Sequence, residues 1–336
     1  MWEMTAGLPE QAAAAAATTA DVQLGQIESR PITNVVALGM GGSGISGDVL
    51  AAFAAPAMAV PVTVVKSYDL PGFVGPDSLV FAVSCSGNTE ETVAAATAAM
   101  EAGAAVVAVT GGGQLARLAE DAGAPVVHVP GDIPQPRAAL GAMAVPPLLV
   151  LERLGLLAGA GAAVGRAIDQ LSRRRDRLTG ARSPAEEVAR RIGRTSPLIH
   201  GSPGLTGVAA QRWKTQVNEN AKCPAFYSAQ PELCHNEIAG WGVNGDVTRQ
   251  TLTLVTLRHD DEDSRIARRF ALVEDLVLEI VADIVEVRAE GDGVLAQFFD
   301  LVITGDFVSL HMAGQQGVDP GPVPVLTEIK EALGGS

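Results

Sequence analysis

Aromatic residues are scarce in this chain of 336 residues, at 4% of the total. Proteins that bind single-stranded nucleic acid stack bases on aromatic rings, so this scarcity argues against such a platform. The chain is nevertheless 47% hydrophobic, which is enough to bury a large core. Because that core must rest on Ala, Val and Leu, it suits close packing of helices on a sheet.

Positive charge is also in short supply. The chain has 24 Lys and Arg against 38 Asp and Glu, and its net charge is −14 at pH 7. A field of this sign repels nucleic-acid phosphates and anionic membranes, so neither is expected as a partner. The run Arg173–Arg175 is better explained as the solvated face of a helix. An anionic ligand therefore needs a local site that overcomes the overall field.

Cysteines, clustered histidines and long apolar runs are lacking as well. The three cysteines have no CxxC spacing and the five histidines are scattered, so no disulfide framework, metal or cofactor is expected. The most apolar stretch, Ala138–Leu151, is interrupted by two prolines and is shorter than the roughly 20 residues of a membrane-spanning helix. No Lys or Arg precedes Arg30, which is a poor start for a signal peptide. These absences predict a soluble, cytoplasmic protein.

What the N-terminal half does contain is an alternation of strand-like and helix-like segments after an Ala-rich helix. The strand-like segments are apolar throughout, as expected for a parallel sheet with both faces covered. The predicted strands are Asn34–Leu38, Val62–Val65, Leu79–Val83, Ala105–Val109 and Pro125–Val129. The predicted helices are Ile45–Phe53, Thr89–Ala102 and Leu140–Leu157.

The C-terminal half repeats this plan faintly. We therefore predict an α/β protein of two tandem domains, 1–157 and 158–336, each a mainly parallel sheet flanked by helices. The second copy lacks the glycine-rich and serine-rich turns of the first, so a ligand's phosphate is expected to bind in the first. The repeating segments are Leu198–Gly201, Thr206–Val217, Leu252–Leu257, a helix from Arg265, Ile284–Val287 and Leu301–Leu310.

The string GMGGSG at Gly39–Gly44 follows the first predicted strand and precedes a helix. Main-chain N–H groups at a helix start, with few Cβ atoms in the way, form a cradle for an anion. The string also fits the GxGxxG pattern of dinucleotide-binding proteins, which is the main alternative. That alternative requires Asp or Glu after the second strand to bind the ribose, whereas this chain has Lys66 and Ser67 there. A cation and a hydroxyl suit a phosphate better.

A second polar turn, SCSGNT at Ser84–Thr89, follows the third predicted strand. Its hydroxyls can donate hydrogen bonds to a phosphate monoester, and the start of the next helix adds attraction. One such turn alone is explained equally well by an ordinary helix cap. Two of them at adjacent strand ends in one sheet indicate a phosphate pocket.

Five segments follow one another along the chain: GMGGSG, SCSGNT, PRAALG at Pro136–Gly141, NENAK at Asn218–Lys222 and ELCHNEIAGW at Glu232–Trp241. Together they resemble the bifunctional phosphoglucose/phosphomannose isomerase family. The resemblance runs from about Val35 to Lys330 and implies two sugar-isomerase (SIS) domains, a hexose 6-phosphate substrate, no cofactor and a homodimer with a shared active site. Either glycine-containing turn alone is a weak signal, whereas all five in order are specific.

The resemblance also implies roles for individual residues. Arg137 would stabilise the enediolate oxygen, and Glu219 would carry a proton between C1 and C2 of the sugar. His235, which comes from the partner subunit in this family, would open the ring, and Lys330 would assist at the ring oxygen. The positions that match the phosphate-binding residues are Gly41, Gly42, Ser43, Ser84, Ser86 and Thr89.

These residue types suit the chemistry on independent grounds. Proton abstraction beside a carbonyl needs a carboxylate, the oxyanion needs a fixed cation, and ring opening needs a group that titrates near neutral pH. Without the resemblance, a Glu between two Asn residues, as at Glu219, is more typical of a solvated loop. Glu237 is the second candidate for the base. Lys222 either contacts the sugar or pairs with Glu219.

Two positions depart from the family pattern. Cys85 stands where an aromatic residue is common, which is compatible with a side chain that points into the core. Val323, seven positions before Lys330, stands where members that act on both C2 epimers have a threonine. The second difference bears on whether glucose 6-phosphate and mannose 6-phosphate are both substrates.

Three functions follow from these residues. The leading hypothesis is aldose–ketose isomerisation of glucose 6-phosphate, mannose 6-phosphate or both to fructose 6-phosphate through a cis-enediol. A non-catalytic sugar-phosphate sensor is the alternative, and it would need the two polar turns but not Glu219, Arg137 or His235. The third, a dinucleotide-dependent oxidoreductase, predicts nicotinamide binding.

Overall fold

The computed structural model describes residues 1–130, 133–332 and 334, except for the side chain of Lys330. It contains two compact units, Gly7–Ile168 (the N-terminal unit) and Asp169–Ser336 together with Met1–Ala6 (the C-terminal unit). Helix α1 (Trp2–Ala6) belongs to the C-terminal unit because the Trp2 ring packs against Phe307, with centroids 4.7 Å apart. The sequence gives no sign of this pairing, and the domain division after residue 157 stays a prediction.

The N-terminal unit is built on five parallel strands in the order β2-β1-β3-β4-β5. Every strand expected from the apolar runs is present, and the parallel α/β fold is confirmed. The strands are β1 (Asn34–Leu38), β2 (Val62–Val65), β3 (Ser78–Ser84), β4 (Ala105–Thr110) and β5 (Val126–His128). The helices are α2 (Leu8–Asp21), α3 (Gly41–Ala54), α4 (Glu90–Glu101), α5 (Gly113–Asp121) and α6 (Leu140–Arg153). Helix α7 (Ala160–Thr179) leads into the C-terminal unit.

Small aliphatic side chains account for this packing. Val36 and Val80 on neighbouring strands are fully buried, and Ala96 of α4 packs against the same cluster. Because alanine adds little bulk, the helix backbone lies close to the sheet. The polar turns follow the carboxyl ends of the central strands, so they lie at one end of the sheet.

The C-terminal unit has four parallel strands in the order β7-β6-β8-β9. The strands are β6 (Ser196–Gly201), β7 (Phe226–Ala229), β8 (Leu252–Arg258) and β9 (Asp283–Arg288). The remaining helices are α8 (Pro184–Ile192), α9 (Leu205–Gln216), α10 (Gly245–Thr251), α11 (Ser264–Val277), α12 (Val294–Gln316) and α13 (Pro324–Ala332). The order matches the first four strands of the N-terminal unit, which fits the predicted repeat.

The apolar segment Leu301–Leu310, at the position of a further repeated element, lies inside α12 and adds no strand. A fully buried helix and a buried strand give the same run of apolar residues, so the pattern could not separate them. By length and composition α12 could also span a membrane, but 89% of its apolar segment is buried inside the protein. Its burial as a core helix accounts for its composition.

Candidate active site

The glycine string directly joins β1 to α3. The helix begins at Gly41, earlier than the predicted Ile45, so the string forms its first turn and presents main-chain N–H groups without helical acceptors. A Cβ at Gly39 would lie 2.9 Å from the carbonyl carbon of Ser43, and Gly41 has a φ of 53°. Side chains at these two positions would therefore distort the turn that exposes the N–H groups.

The serine-rich turn between β3 and α4 is held by its own hydroxyls. Ser84 Oγ accepts a hydrogen bond from the Gly87 N–H at 3.1 Å and lies 2.9 Å from Thr89 Oγ1. Ser86 Oγ accepts from the Asn88 N–H at 3.2 Å. Gly87 has a φ of 69°, and a Cβ there would lie 1.8 Å from the carbonyl oxygen of Gly112. The turn is thus fixed before any ligand arrives, and Gly87 is required for its shape.

One buried hydroxyl connects the two turns. Ser43 Oγ accepts a hydrogen bond from the Cys85 N–H at 3.4 Å and donates to Met143 Sδ at 3.2 Å. Burial raises the pKa of the Cys85 thiol, which keeps it protonated and disfavours a nucleophilic role. Strands β1 and β3 are neighbours, and the strand order reverses between them. Ligands of open α/β sheets bind in the crevice at this reversal.

Arg137 lies beside the glycine turn. It belongs to a short 3₁₀ turn (Pro136–Ala138), is 6% exposed, and donates from Nη1 to Gln135 Oε1 at 2.8 Å. A Cβ at Gly42 would lie 3.4 Å from the Cα of Arg137, so the two turns are in close contact. The N-terminal unit thus brings a buried guanidinium to the same end of the sheet as the predicted phosphate-binding residues.

Lys66 follows β2, as expected, and its charge is paired with a carboxylate. Its Nζ forms an ion pair with Asp48 of α3. Burial raises the pKa of Asp48, and the bond from Lys66 offsets this only in part. A carboxylate therefore does lie near the end of β2, although it comes from the helix and is paired with Lys66.

Glu219 occupies a single π-helical turn (Val217–Ala221) that continues α9. Such π-turns are rare and occur frequently at functional sites. Asn220 anchors the turn to α12 through a hydrogen bond from Nδ2 to Ser309 Oγ at 2.9 Å. Lys222 donates from Nζ to the main-chain oxygen of Glu219. The candidate base is half-buried on a rigid backbone rather than on a solvated loop.

Helix α9 is fixed to α12 by buried polar contacts. Arg212 Nη2 lies 2.6 Å from Asp306 Oδ2, and both side chains are buried. Trp213 Nε1 donates to the carbonyl oxygen of Leu301 at 2.8 Å, and its ring fills the space where Gly305 lacks a side chain. These contacts determine where the π-turn lies, and sequence reasoning did not identify the Arg212–Asp306 pair because its members are 94 residues apart.

His235 and Glu237 lie on consecutive 3₁₀ turns after β7 and differ in environment. His235 is exposed on the chain. Both carboxylate oxygens of Glu237 are engaged, one 2.8 Å from Nε2 of buried His200 and the other bonded to Ser228 Oγ. Burial acts to raise the pKa of Glu237, but the bonds from His200 and Ser228 outweigh it and leave the pKa below its ordinary value. The contacts of Glu237 therefore favour a structural role, in which it holds this segment in place, over a role as the catalytic base.

Helix α13 contains Lys330, but the side chain of this residue lies outside the described part of the structure. Within the described ranges, no group of three or more His, Cys, Asp or Glu side chains is arranged to bind a metal ion. The predicted site residues thus fall into two sets, with Arg137 and the phosphate-binding positions in the N-terminal unit and Glu219, His235 and Lys330 in the C-terminal unit.

Solved structures share this fold. The chain superposes on the tagatose-6-phosphate ketose/aldose isomerase of Escherichia coli with a TM-score of 0.68 and 15% identity, covering 96% of this chain and 94% of that one. The C-terminal domain of a glucosamine-fructose-6-phosphate aminotransferase from Francisella tularensis gives a TM-score of 0.73 and 13% identity, with 94% and 96% covered. At these identities the likeness shows that the chain shares the fold of these proteins.

Sequence comparison is more specific. Residues 181–333 match the family model described as the bacterial phospho-glucose isomerase C-terminal SIS domain. A bifunctional phosphoglucose/phosphomannose isomerase from Caldicellulosiruptor bescii is 35% identical to this chain, covering 99% of this chain and 98% of the relative. The chain belongs to the bifunctional phosphoglucose/phosphomannose isomerase family, and the expected family is confirmed.

Proposed function

We propose that this chain interconverts glucose 6-phosphate, mannose 6-phosphate or both with fructose 6-phosphate. The observation that carries the proposal is the joining of two polar turns through Ser43 and the Cys85 N–H at the strand-order reversal. This arrangement supplies main-chain N–H groups and hydroxyls for a phosphate without a fixed counter-charge. It also explains how an acidic chain can bind an anionic substrate.

The chemical step is a proton transfer between adjacent carbons. Glu219 removes the C2 proton of the open-chain aldose, which gives a cis-enediol, and returns a proton to C1 to form the ketose. Arg137 stabilises the negative charge that develops on the oxygen during this step, because a guanidinium stays charged and needs no reorganisation. The reaction runs in both directions and consumes no redox partner.

Ring opening precedes this step. His235 of the partner subunit of a homodimer transfers the proton that opens the pyranose or furanose ring, and Lys330 assists at the ring oxygen. The exposure of His235 on its own chain supports such a contribution across an interface. We also propose that the enzyme works in the cytoplasm, where hexose phosphates are available and its cysteines stay reduced.

A coupled assay tests the proposal against the sensor alternative. Purified protein is supplied with fructose 6-phosphate, and formation of glucose 6-phosphate and mannose 6-phosphate is followed separately. Turnover of either epimer supports the isomerase. Fructose 6-phosphate binding without turnover, in protein shown to be folded, selects the sensor. The ratio of the two initial rates gives the preference between the C2 epimers, the property on which Val323 bears.

The shared active site has its own test. Glu219→Gln and His235→Ala chains, each inactive alone, are mixed under conditions in which subunits exchange. Hybrid dimers then contain one site with both wild-type residues, so part of the activity returns. If exchange is demonstrated and no activity returns, each site is formed within one chain.

A further inference from the structure

The C-terminal unit contains a cavity of about 570 Å³, and none of the proposed catalytic or substrate-binding residues lines it. Ligand-binding pockets typically measure about 300–1,000 Å³, so a small organic phosphate fits a space of this size. Its walls include Ser202, Pro231 and His259 from the loops after the strands, and Arg265 and Arg269 from α11. All of these residues belong to the C-terminal unit.

The cavity lies where ligands bind in open α/β sheets. Ser202 follows β6 and His259 follows β8. The chain passes from β6 to β7 on one side, while β8 lies on the other side of β6, so the strand order reverses between β6 and β8. The crevice at the carboxyl ends of two such strands is the usual ligand position. In the N-terminal unit, the corresponding position is occupied by the Gly39 and Ser84 turns.

Hydroxyl and imidazole groups line one wall. His259 Nε2 lies 3.1 Å from Ser202 Oγ, which in turn lies 2.6 Å from Thr206 Oγ1. Ser202 and Thr206 are buried, at 2% and 4% exposure. Burial lowers the pKa of His259, so the ring is neutral at pH 7 and can donate one hydrogen bond. This chain of groups can therefore orient an oxygen-rich ligand without a counter-charge.

The nearby carboxylates are largely neutralised by arginines. Glu262 pairs with the buried Arg258, and Asp263 caps α11 by accepting from the Arg265 N–H at 2.8 Å while its carboxylate also pairs with the Arg265 guanidinium. Arg269, in contrast, is half-buried at the cavity and makes no ion pair or hydrogen bond with the rest of the described chain.

Of the three carboxylates that line the cavity, Asp261, Glu262 and Asp263, the charge of Asp261 works most strongly against an anion. Asp261 is exposed, and it carries no ion pair within the described ranges. Among the described lining residues, the charges without an ion pair are thus those of Arg269 and Asp261, and each can be changed separately.

We propose that this cavity is a second phosphate site, which binds the phosphate group of a small metabolite between Ser202, His259 and Arg269. Arg269 supplies the positive charge, because its guanidinium can donate charge-assisted hydrogen bonds to a phosphate, and Ser202 and His259 supply the uncharged contacts. The C-terminal unit thereby keeps the ligand position of the N-terminal unit but uses charged side chains in place of glycine. The site does not depend on the isomerase assignment.

Equilibrium dialysis of the full-length protein against radioactive inorganic phosphate measures binding and tests the proposal. Arg269→Gln should weaken one component of binding about tenfold, since one charge-assisted hydrogen bond is lost. Arg268→Gln is the matched control, because it removes the same charge from the adjacent, exposed position outside the cavity. Asp261→Asn should strengthen the same component by removing the opposing charge.

Isomerase turnover should be unchanged in all three variants, which separates this site from the catalytic one. Crystals soaked in tungstate should show an anomalous peak within hydrogen-bond distance of Ser202 and Arg269. Identical binding curves for Arg269→Gln and Arg268→Gln, together with no peak at the cavity, would overturn the proposal. If Arg269→Gln fails to fold, an unchanged affinity in Asp261→Asn with no tungstate peak overturns it equally.

Discussion

The two units place a polar crevice at the same point of similar sheets and build it differently. In both, a buried serine hydroxyl links the two turns, Ser43 to the Cys85 N–H and Ser202 to His259 Nε2. The N-terminal turns expose main-chain N–H groups, which glycine permits. The corresponding C-terminal turn carries a run of acidic residues, of which Glu262 and Asp263 pair with arginines. One scaffold thus supports an uncharged cradle and a charged one.

The units also differ in how they bury charge. In the N-terminal unit the buried charged residue, among those described, is Arg137, which lies at the predicted site. The C-terminal unit buries ion pairs that join helices, as in Arg174–Asp300 and Arg212–Asp306. These pairs fix α12 against α7 and α9, and the π-turn that continues α9 carries Glu219. Buried charge therefore lies at the proposed substrate site in one unit and fixes the position of the proposed base in the other.

The largest effect should come from Glu219→Gln. Positioned acid–base groups typically contribute about 10²–10⁴-fold to rate, so kcat should fall by about a thousandfold or more. Glu237→Gln is the control, and steady-state kinetics with fructose 6-phosphate should show turnover within about tenfold of the native enzyme, since Glu237 acts through its structural contacts. The reverse pattern would make Glu237 the base.

Asp306→Asn should cost the most stability. This change removes the negative charge that the buried Arg212 guanidinium pairs with, and removing one partner of a buried pair costs about 3–5 kcal/mol in the free energy of unfolding. Asp275→Asn, an exposed change on α11 of the same unit, should cost less than about 0.5 kcal/mol. Urea denaturation measures both. Equal effects would show that the Arg212–Asp306 pair does not hold α9 in place.

Ser43→Ala and Ser202→Ala compare the two crevices directly. Ser43→Ala removes a proposed phosphate contact and the link to Cys85, so KM for fructose 6-phosphate should rise about tenfold with kcat little changed. Ser202→Ala should leave KM as it is, because its hydroxyl lies in the other crevice. A rise in KM for Ser202→Ala but not for Ser43→Ala would show that the substrate phosphate binds in the C-terminal unit, which would contradict the proposal.

The smallest effect concerns acid sensitivity. Burial lowers the pKa of His311 below the value of 6.5 expected when it is unfolded. Between these two pKa values the unfolded chain binds more protons, so stability falls as the pH drops below about 6.5. His311→Phe keeps a ring beside Trp2 and removes the titration. The His311→Phe variant should lose less stability from pH 7 to pH 5 than the native chain, as measured by urea denaturation at each pH. An equal loss would exclude His311 as a cause of the acid sensitivity.

Much of this architecture could be predicted because buried parallel strands are continuous apolar runs. A buried helix has the same apolar composition as a buried strand, so this property could not show that Leu301–Leu310 lies in helix α12. The two polar turns were predictable because glycine and hydroxyl residues follow strands at fixed positions. The Asp48–Lys66 and Glu237–His200 pairs were not, because residues far apart in sequence leave no local pattern when they meet.

Solvent deuterium tests the central claim, that Glu219 moves a proton between C1 and C2, most directly. The native enzyme acts on fructose 6-phosphate in D₂O until equilibrium, and the aldose product is examined by NMR. Because a carboxylate exchanges its proton with solvent between turnovers, deuterium should appear at C2, and Glu219→Gln should abolish this incorporation. Aldose that retains only protium at C2 after many turnovers, or incorporation at an undiminished rate in Glu219→Gln, would contradict the account.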